Sequence, residues 1–170
     1  MEQNIIKTPH LTLEVLREDD YADVIGLMLE PEVGKTYMVP DLPSEEKKRA
    51  LFERLRGMSL SEERFLRGLY LDGRLIGLIH EVKAEAGEVE VGYLLRTDAW
   101  NRGYMTEALT AVIPVFFERG FSVVKAGAFS ENRASMRVME KSGMVCTGEE
   151  EDIDYRGATH RCLYYAIRKP

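Results

Sequence analysis

Residues Glu88–Glu107 form a pattern in which a strand leads through a glycine-bearing loop into a helix. Side chains alternate in type from Glu88 to Leu95, as in a strand with Gly92 in its interior, and a helical spacing of apolar residues begins at Tyr104. The first turn of a helix has unpaired N–H groups and a partial positive charge, so this segment can bind a phosphate group. A helix that simply starts after a turn explains the same pattern, because the P-loop and dinucleotide glycine signatures are both missing.

A second stretch, Asn132–Met144, is typical of a short helix with a polar start and a glycine end. Asn132 is suited to the N-cap position, and Gly143 is suited to the left-handed position after the last turn. By itself, this stretch predicts a well-bounded helix and no chemistry.

Together, the two stretches resemble the GCN5-related N-acetyltransferase (GNAT) superfamily, in particular its branch of ribosomal-protein N-terminal acetyltransferases and spermidine acetyltransferases. That branch carries Glu-hydrophobic-Gly-Tyr, then Trp-x-x-Gly-Tyr-x-Thr-Glu-Ala, and later Asn-x-x-Ser-x-x-hydrophobic-x-x-Lys-x-Gly-Phe. The chain matches these motifs in order and spacing at Glu90–Tyr93, Trp100–Ala108 and Asn132–Met144. The wider family has a Gln/Arg-x-x-Gly-x-Gly/Ala loop, and here its first and last positions are Trp and Met. Met144 stands where the branch usually has Phe, a conservative change in packing.

The resemblance implies acetyl-coenzyme A as co-substrate and no metal. Backbone groups of the central strand would face the pantetheine arm, and N–H groups of the loop and first helical turn would bind the pyrophosphate. Asn132 is implied at the pantetheine arm, and Lys141 either at the phosphates or in solvent. The residues implied for the cofactor are Tyr93, Leu94, Leu95, Asn101, Arg102, Gly103, Tyr104, Met105, Thr106, Asn132, Ser135 and Lys141.

Acetyl transfer to an amine needs a polarised thioester carbonyl, a neutral amine and a proton for the departing thiolate. A lysine or polyamine nitrogen has a pKa near ~10, so a base must remove its proton at neutral pH. Glu90 on the central strand is the first candidate for this base, although a surface or structural carboxylate explains it equally well. The resemblance implies that Asp154, at the place of a family Glu, is the second candidate for the base. It also implies that Ser135 matches a serine proposed to protonate the thiolate. Helix capping or a bond to the cofactor also explains Ser135.

The order of the elements indicates an α+β fold in one domain over residues 1–170. Strands are expected at 11–17, 65–71, 75–83, 88–95, 122–129, 144–150 and 159–168. Helices are expected from Asp19 or Asp20 to Pro31, from Ser44, from Tyr104 to Gly120 with a bend before Pro114, and from Asn132 to Gly143. Because strand 122–129 follows a crossover helix, it should run parallel to the central strand. The resemblance implies the GNAT fold, a mixed and mostly antiparallel seven-stranded sheet with a splayed parallel pair and helices on both faces.

Three further features have two interpretations each. Tyr37, Met38 and Val39 lie in a proline-bearing loop at 31–43 and either pack under the core or line an acceptor pocket. The acidic residues of 149–154 form either a solvated hairpin or a rim that attracts a cationic amine. His80 fits a packed or surface histidine better than a catalyst.

Composition excludes several classes of protein. The formal net charge is −6 and the pI is about 5.2, which disfavours a nucleic-acid-binding protein. No apolar run approaches the roughly 20 residues of a membrane span, and residues 1–4 lack the features of a signal peptide. Cys146 and Cys162 fit no zinc motif and are expected as free thiols, so the sequence predicts a cytoplasmic protein. Relatives are often dimers, which makes a homodimer one of the expected partners.

The sequence therefore predicts an acetyl-CoA-dependent N-acetyltransferase. Its acceptor is a primary amine, on a protein N-terminus, a polyamine or another small amine. The alternative is a non-catalytic acyl-CoA-binding sensor, which would keep Gly103, Asn132 and Ser135 but tolerate the loss of Glu90 and Asp154.

Overall fold

A computed structural model describes residues 5–170 of the chain. Residues 1–4, in which no signal peptide is expected, lie outside the described residues. The helices are α1 (Tyr21–Leu29), α2 (Pro31–Gly34), α3 (Glu45–Leu60), α4 (Tyr104–Glu118) and α5 (Arg133–Lys141). The strands are β1 (Ile6–Lys7), β2 (Thr12–Glu14), β3 (Leu66–Leu71), β4 (Arg74–Glu85), β5 (Glu88–Leu95), β6 (Val123–Phe129), β7 (Val145–Tyr155) and β8 (Ala158–Arg168).

The eight strands of the described chain form one sheet in the order β1-β2-β3-β4-β5-β6-β8-β7. β5 and β6 run parallel, whereas β8 pairs antiparallel with both β6 and β7. This confirms the predicted fold class, including the parallel pair joined through the crossover helix α4. The sheet has one strand more than expected, because β1 is two residues long and too short to show an alternating pattern.

Two compact units make up the chain. One holds the residues up to His80 together with Tyr93–Tyr104, and the other holds Glu81–Gly92 together with Met105–Pro170. In the first unit, side chains of α1, α3, β3 and β4 share one apolar core, which includes Leu27, Phe52, Leu66 and Leu78. The description of the chain as a single domain over residues 1–170 stays a prediction.

Asp20 is buried at the start of α1, but its side chain does not cap that helix as expected. Its carboxylate accepts the Arg17 backbone N–H at 2.7 Å and the Tyr70 hydroxyl. Burial and this hydrogen bond raise the pKa of Tyr70 well above its usual range. Asp20 therefore fastens the turn before α1 to β3 instead of satisfying the first N–H groups of the helix.

Replacing Tyr70 with phenylalanine is expected to destabilise the protein by about 1–3 kcal/mol, because a buried hydrogen bond to a carboxylate contributes about that much. Tyr21 offers a matched control, since its hydroxyl bonds the exposed Glu45 carboxylate and its loss should change stability by less than about 0.5 kcal/mol. Urea denaturation of Tyr70→Phe and Tyr21→Phe measures both effects. Equal stabilities of the two variants would contradict this account of Asp20.

In the second unit, α5 packs on one face of β6 and β8. The Tyr165 hydroxyl donates to Glu140 of α5 at 3.3 Å, which fixes the face that Tyr165 occupies. Side chains alternate along a strand, so Tyr164 lies on the opposite face. Phe129, Cys162 and Tyr164 form a small buried cluster there.

The local turn and cap predictions agree with the structure. In the sequence, Asp72-Gly73 is a strong signal for a type I′ hairpin turn, and the φ values of these residues, 49° and 80°, are positive as that turn requires. Ser44 caps α3, with its hydroxyl accepting the Lys47 N–H at 3.2 Å. Cys146 is exposed and Cys162 is buried, and both are free thiols.

Several element limits are corrected by the structure. The loop at 31–43 begins with the short helix α2, which Pro31 starts at its first position. β2 is shorter than the strand expected at 11–17, and β7 continues through the acidic residues to Tyr155. Pairing of β7 with β8 as far as Tyr155 and Ala158 outweighs the low strand propensity of those acidic residues. No helix within residues 5–170 is long and apolar enough to cross a membrane.

Candidate active site

The carboxyl end of β5 extends past the parallel ladder. The register joins residues 88–91 of β5 to residues 123–126 of β6, whereas β5 continues to Leu95. Two parallel strands that splay apart, as expected for β5 and β6, must have a hydrogen-bond ladder that ends early. Gly77 of β4 permits the close approach of this segment, because a Cβ there would lie 2.5 Å from the Leu94 carbonyl oxygen. The requirement for glycine at this position was not predicted from the sequence.

Three residues at this end of β5 are implied at the pantetheine arm. Tyr93 is half-buried, and the Leu94 and Leu95 side chains are buried. The Leu95 carbonyl accepts the Trp100 indole N–H at 2.8 Å. That carbonyl is therefore engaged within the protein.

The loop between β5 and α4 contains two residues in the left-handed backbone conformation. Thr97–Ala99 form a short 3-10 turn, and Asn101 and Gly103 then have φ values of 60° and 79°. No atom lies within 4 Å of a Cβ built on Gly103, so the space beside its backbone is open. Tyr104 follows as the first residue of α4, a helix of 15 residues whose first N–H groups have no intrahelical partner.

The side chains of the loop and of the first turn of α4 differ in burial. Asn101 and Arg102 are exposed, and Tyr104 and Thr106 are half-buried. Met105 is buried in the core, so any part it takes in cofactor binding comes from its backbone N–H.

Glu90 lies on β5 directly opposite Lys125 of β6 in the parallel register. Burial raises the pKa of the half-buried Glu90 carboxyl. Lys125 opposes this rise and the Glu151 carboxylate adds to it. A carboxylate with a raised pKa is a stronger base than an ordinary glutamate, so Glu90 is better suited to take a proton from an amine than an exposed glutamate is.

The surroundings of Glu90 form a network that was not predicted from the sequence. The Lys125 ammonium bonds Glu149 at 2.5 Å and lies 4.3 Å from the centre of the Tyr164 ring. The Tyr164 hydroxyl donates to Glu151 at 2.7 Å. Gly127 makes room for this arrangement, since a Cβ there would lie 2.8 Å from the Tyr164 ring. A glycine in a strand interior was the one sequence signal that could have indicated a side chain lying across β6.

Replacing Lys125 with methionine is expected to move the acid limb of the pH–rate profile to higher pH. Lys125 lowers the pKa of Glu90, so its loss raises that pKa, and the base is then deprotonated only at higher pH. Lys83 also lowers this pKa but more weakly, and it pairs with Glu85 at 2.9 Å. Lys83→Met should therefore shift the limb less, and a limb that stays in place in Lys125→Met would exclude Glu90 as the titrating base.

Asp154 lies away from Glu90 in the same unit. Glu90 pairs with Lys125 of β6, and Lys125 pairs in turn with Ala166 of β8. Asp154 of β7 pairs instead with Thr159 of β8. Thr159 lies seven positions from Ala166 along β8, which corresponds to about 23 Å. The Asp154 carboxylate accepts the Thr159 hydroxyl at 2.6 Å. The two candidate bases are thus not brought together, and of the two only Glu90 lies within the parallel pair.

Side-chain contacts are concentrated in the segment that leads from β6 into α5. The Asn132 side chain caps α5 by accepting the Ser135 N–H at 3.2 Å, as predicted. The His160 ring stacks on Phe129 with centroids 4.4 Å apart, and its Nδ1 lies 2.5 Å from the Glu131 carboxylate. Ser135 is half-buried and Lys141 is exposed, so their roles at a cofactor stay predictions.

The apolar residues of the loop at 31–43 differ in burial. Val39 is buried in the core of the first unit, and Met38 is 51% exposed. Tyr37 packs against that core, and its hydroxyl lies 2.8 Å from Nε2 of His80. Burial raises the pKa of Tyr37 to about 12, so this hydroxyl stays protonated at neutral pH. His80 is a packed histidine with a tyrosine partner, in agreement with the sequence interpretation.

Comparison with known proteins identifies the family. The sequence pattern of the acetyltransferase (GNAT) domain matches residues 10–145. The chain belongs to the GNAT family of acetyltransferases. Among residues 5–170, no three His, Cys, Asp or Glu side chains are grouped so that they could hold a metal ion.

Relatives of this GNAT protein align along nearly its whole length. An uncharacterised N-acetyltransferase of Bacillus subtilis (strain 168), YoaA, is 26% identical over 178 residues, covering 98% of this chain and 97% of the relative. The crystal structure of a GNAT acetyltransferase from Bacillus anthracis has a TM-score of 0.82 at 25% identity, covering 96% of this chain and 98% of that one. RimL, a ribosomal L7/L12 alpha-N-protein acetyltransferase solved in complex with coenzyme A, has a TM-score of 0.78 at 18% identity, covering 97% and 98%. At that identity, RimL shows a shared fold.

Proposed function

We propose that this acetyltransferase moves the acetyl group of acetyl-CoA to a primary amine by direct attack in a ternary complex. The observation that carries the proposal is the loop after β5, where Gly103 has a φ of 79° beside open space at the start of α4. That geometry suits a pyrophosphate bound by backbone N–H groups. The choice of acetyl-CoA as co-substrate is supported by neighbours of the same fold solved with coenzyme A or with acetyl-CoA.

The cofactor would be bound by three sets of residues. Backbone groups of Tyr93 and Leu94 would bond the pantetheine arm. The N–H groups of residues 102–106 and the Thr106 hydroxyl would bind the pyrophosphate, with Asn101 beside them. Asn132 has its Oδ1 engaged in the cap, so its amide NH₂ would be the donor toward the arm.

Glu90 would act as the base in this reaction. It takes one proton from the acceptor's ammonium group, directly or through water, and the neutral nitrogen attacks the thioester carbonyl carbon. A C–N bond forms, the C–S bond breaks, and the sulfur leaves with the electron pair. Ser135 or water would protonate that thiolate while the nitrogen loses its second proton, so that the overall reaction releases one proton.

The acceptor class follows from the charge near Glu90. Glu149 and Glu151 raise the pKa of Glu90, and their negative charge favours a cationic group beside Glu90, although Lys125 offsets part of that charge. A primary amine that arrives as ammonium fits this balance. Protein N-termini, polyamines and other small amines all satisfy it, and the RimL neighbour acts on a ribosomal protein N-terminus.

A sensor that binds acyl-CoA without turnover is the second candidate. It would need the loop at Gly103 but not a half-buried carboxylate. The raised pKa of Glu90 favours the enzyme, because a sensor has no use for a proton acceptor at that place.

Calorimetric titration with acetyl-CoA, combined with detection of free thiol in the presence of a panel of amines, tests the proposal. Binding with amine-dependent thiol release is the expected result. Binding without release from any amine or N-terminal peptide would favour the sensor, and an absence of binding would refute the assignment of the loop at Gly103.

A further inference from the structure

Glu30 lies at a junction of three elements of the first unit. Its backbone N–H donates to the Leu27 carbonyl at 3.3 Å and closes α1. Its carbonyl accepts the Gly34 N–H at 3.1 Å and opens α2. Its carboxylate accepts the Thr97 backbone N–H at 2.9 Å. The two helix ends fix the backbone of Glu30, so the carboxylate is held where it meets Thr97.

The Thr97 N–H belongs to the turn that leads into the loop at Gly103. Residues 97–99 form the 3-10 turn after β5, and the first N–H groups of such a turn need an acceptor from elsewhere. The Ala99 N–H bonds the Arg96 carbonyl at 3.0 Å, and the Trp100 N–H bonds the Thr97 carbonyl at 3.2 Å. Glu30 therefore supplies the acceptor at the start of a series of short-range bonds that ends at Trp100.

The Trp100 side chain connects the turn to the end of β5. Its indole N–H bonds the Leu95 carbonyl at 2.8 Å, across the base of the turn. Asn101 follows at a φ of 60° and Gly103 at 79°, two left-handed residues whose neighbours must be fixed if the loop is to keep one shape. A loop already held in its binding shape loses less conformational entropy when a ligand binds.

We propose that Glu30 is a positioning residue for the cofactor loop, although it belongs to none of the sequence motifs of that loop. It acts through the Thr97 N–H and the turn, and it touches no reacting atom. The inference rests on the proposed function, because it assigns the loop to acetyl-CoA. It also predicts a property of the loop that is measurable without any cofactor.

Glu30→Ala is expected to raise the Kd for acetyl-CoA and its KM about fivefold to tenfold, with kcat changed less than about twofold. The magnitude is that of losing one capping acceptor, and the split between KM and kcat is that of a binding loop away from the reacting atoms. Glu30→Gln keeps a side-chain oxygen that can accept the Thr97 N–H. It should retain affinity within about twofold of the wild type.

Trp100 is the single tryptophan of the sequence, so the tryptophan fluorescence reports on the loop alone. Acrylamide should quench this fluorescence more readily in Glu30→Ala than in Glu30→Gln or the wild type. Glu32→Ala is the matched control, because Glu32 lies two residues further on and pairs with Lys35 at 2.6 Å. Thermal melts of all four proteins verify that they are folded at the assay temperature.

The outcomes separate the two proposals. Increased quenching together with weaker acetyl-CoA binding in Glu30→Ala supports the inference. Unchanged quenching overturns it, and so does increased quenching with unchanged affinity. If the wild type binds no acetyl-CoA, the proposed function fails, and the inference falls with it even where the quenching data show that Glu30 orders the turn.

Discussion

Replacing Glu90 with glutamine is expected to lower kcat by about 10²–10⁴-fold, the usual contribution of a general base. Glutamine keeps the size and one acceptor oxygen of the side chain but cannot take a proton from the acceptor amine. The Kd for acetyl-CoA should stay within about twofold, because the cofactor is assigned to backbone groups and to the loop at Gly103. Thiol release measured at saturating amine, with calorimetry for the cofactor, determines both quantities.

Glu88 provides the control for this experiment. It lies two residues before Glu90 on the same strand and on the same side, but it is exposed at the start of β5. Glu88→Gln makes the same chemical change and should leave kcat within about twofold. A normal kcat in Glu90→Gln would exclude Glu90 as the base. Asp154 would then be the remaining candidate base.

The pH dependence gives a second test of the same residue. Burial raises the pKa of Glu90. As the pH is lowered, kcat should therefore begin to fall at a higher pH than it would for an ordinary glutamate, whose pKa is about 4.3. The activity is present while the carboxyl is ionised and is lost as the pH falls through its raised pKa. In Glu90→Gln this acid limb should be absent from the residual activity.

Replacing Gly103 with alanine is expected to weaken acetyl-CoA binding at least about tenfold. Gly103 has a φ of 79°, a conformation that costs an alanine about 1–2 kcal/mol. The loop must therefore carry that strain or change shape, and the new methyl group also points into the open space where a phosphate would approach. A tenfold loss of affinity corresponds to about 1.4 kcal/mol.

Gly73 separates cofactor binding from backbone strain. It has a φ of 80° in the β3–β4 hairpin, and like Gly103 it has no atom within 4 Å of a built Cβ. Gly73→Ala should lose a similar amount of stability in urea denaturation and keep its affinity for acetyl-CoA. An equal loss of affinity in both variants would mean that binding reports only global stability, and an unchanged affinity in Gly103→Ala would contradict the assignment of the loop.

Features governed by neighbouring residues could be predicted from the sequence. The hairpin turn at Asp72-Gly73, the helix start at Ser44, the cap at Asn132 and the left-handed Gly143 all occur as expected. Each depends on the φ preference or the hydrogen-bonding side chain of one residue within its own turn. The parallel arrangement of β5 and β6 was also predictable, because a helical crossover between two strands of a sheet makes them parallel.

Site features that depend on pairing between distant strands required the tertiary structure. Lys125 lies opposite Glu90 only because of the register between β5 and β6, and Asp154 is distant only because of the register between β7 and β8. A shift of one residue would turn either side chain to the other face of the sheet. Local patterns fix which residues form a strand but not the partner residue that each one meets.

The sequence by itself determined the family motifs, the loop at Gly103 and the candidate base Glu90. The tertiary structure alone decided what surrounds them. Glu30 meets Thr97 across 67 residues of chain, and Tyr164 lies across Gly127 on a neighbouring strand. Such contacts form when distant segments bury a common core, and no propensity or period within one segment encodes them.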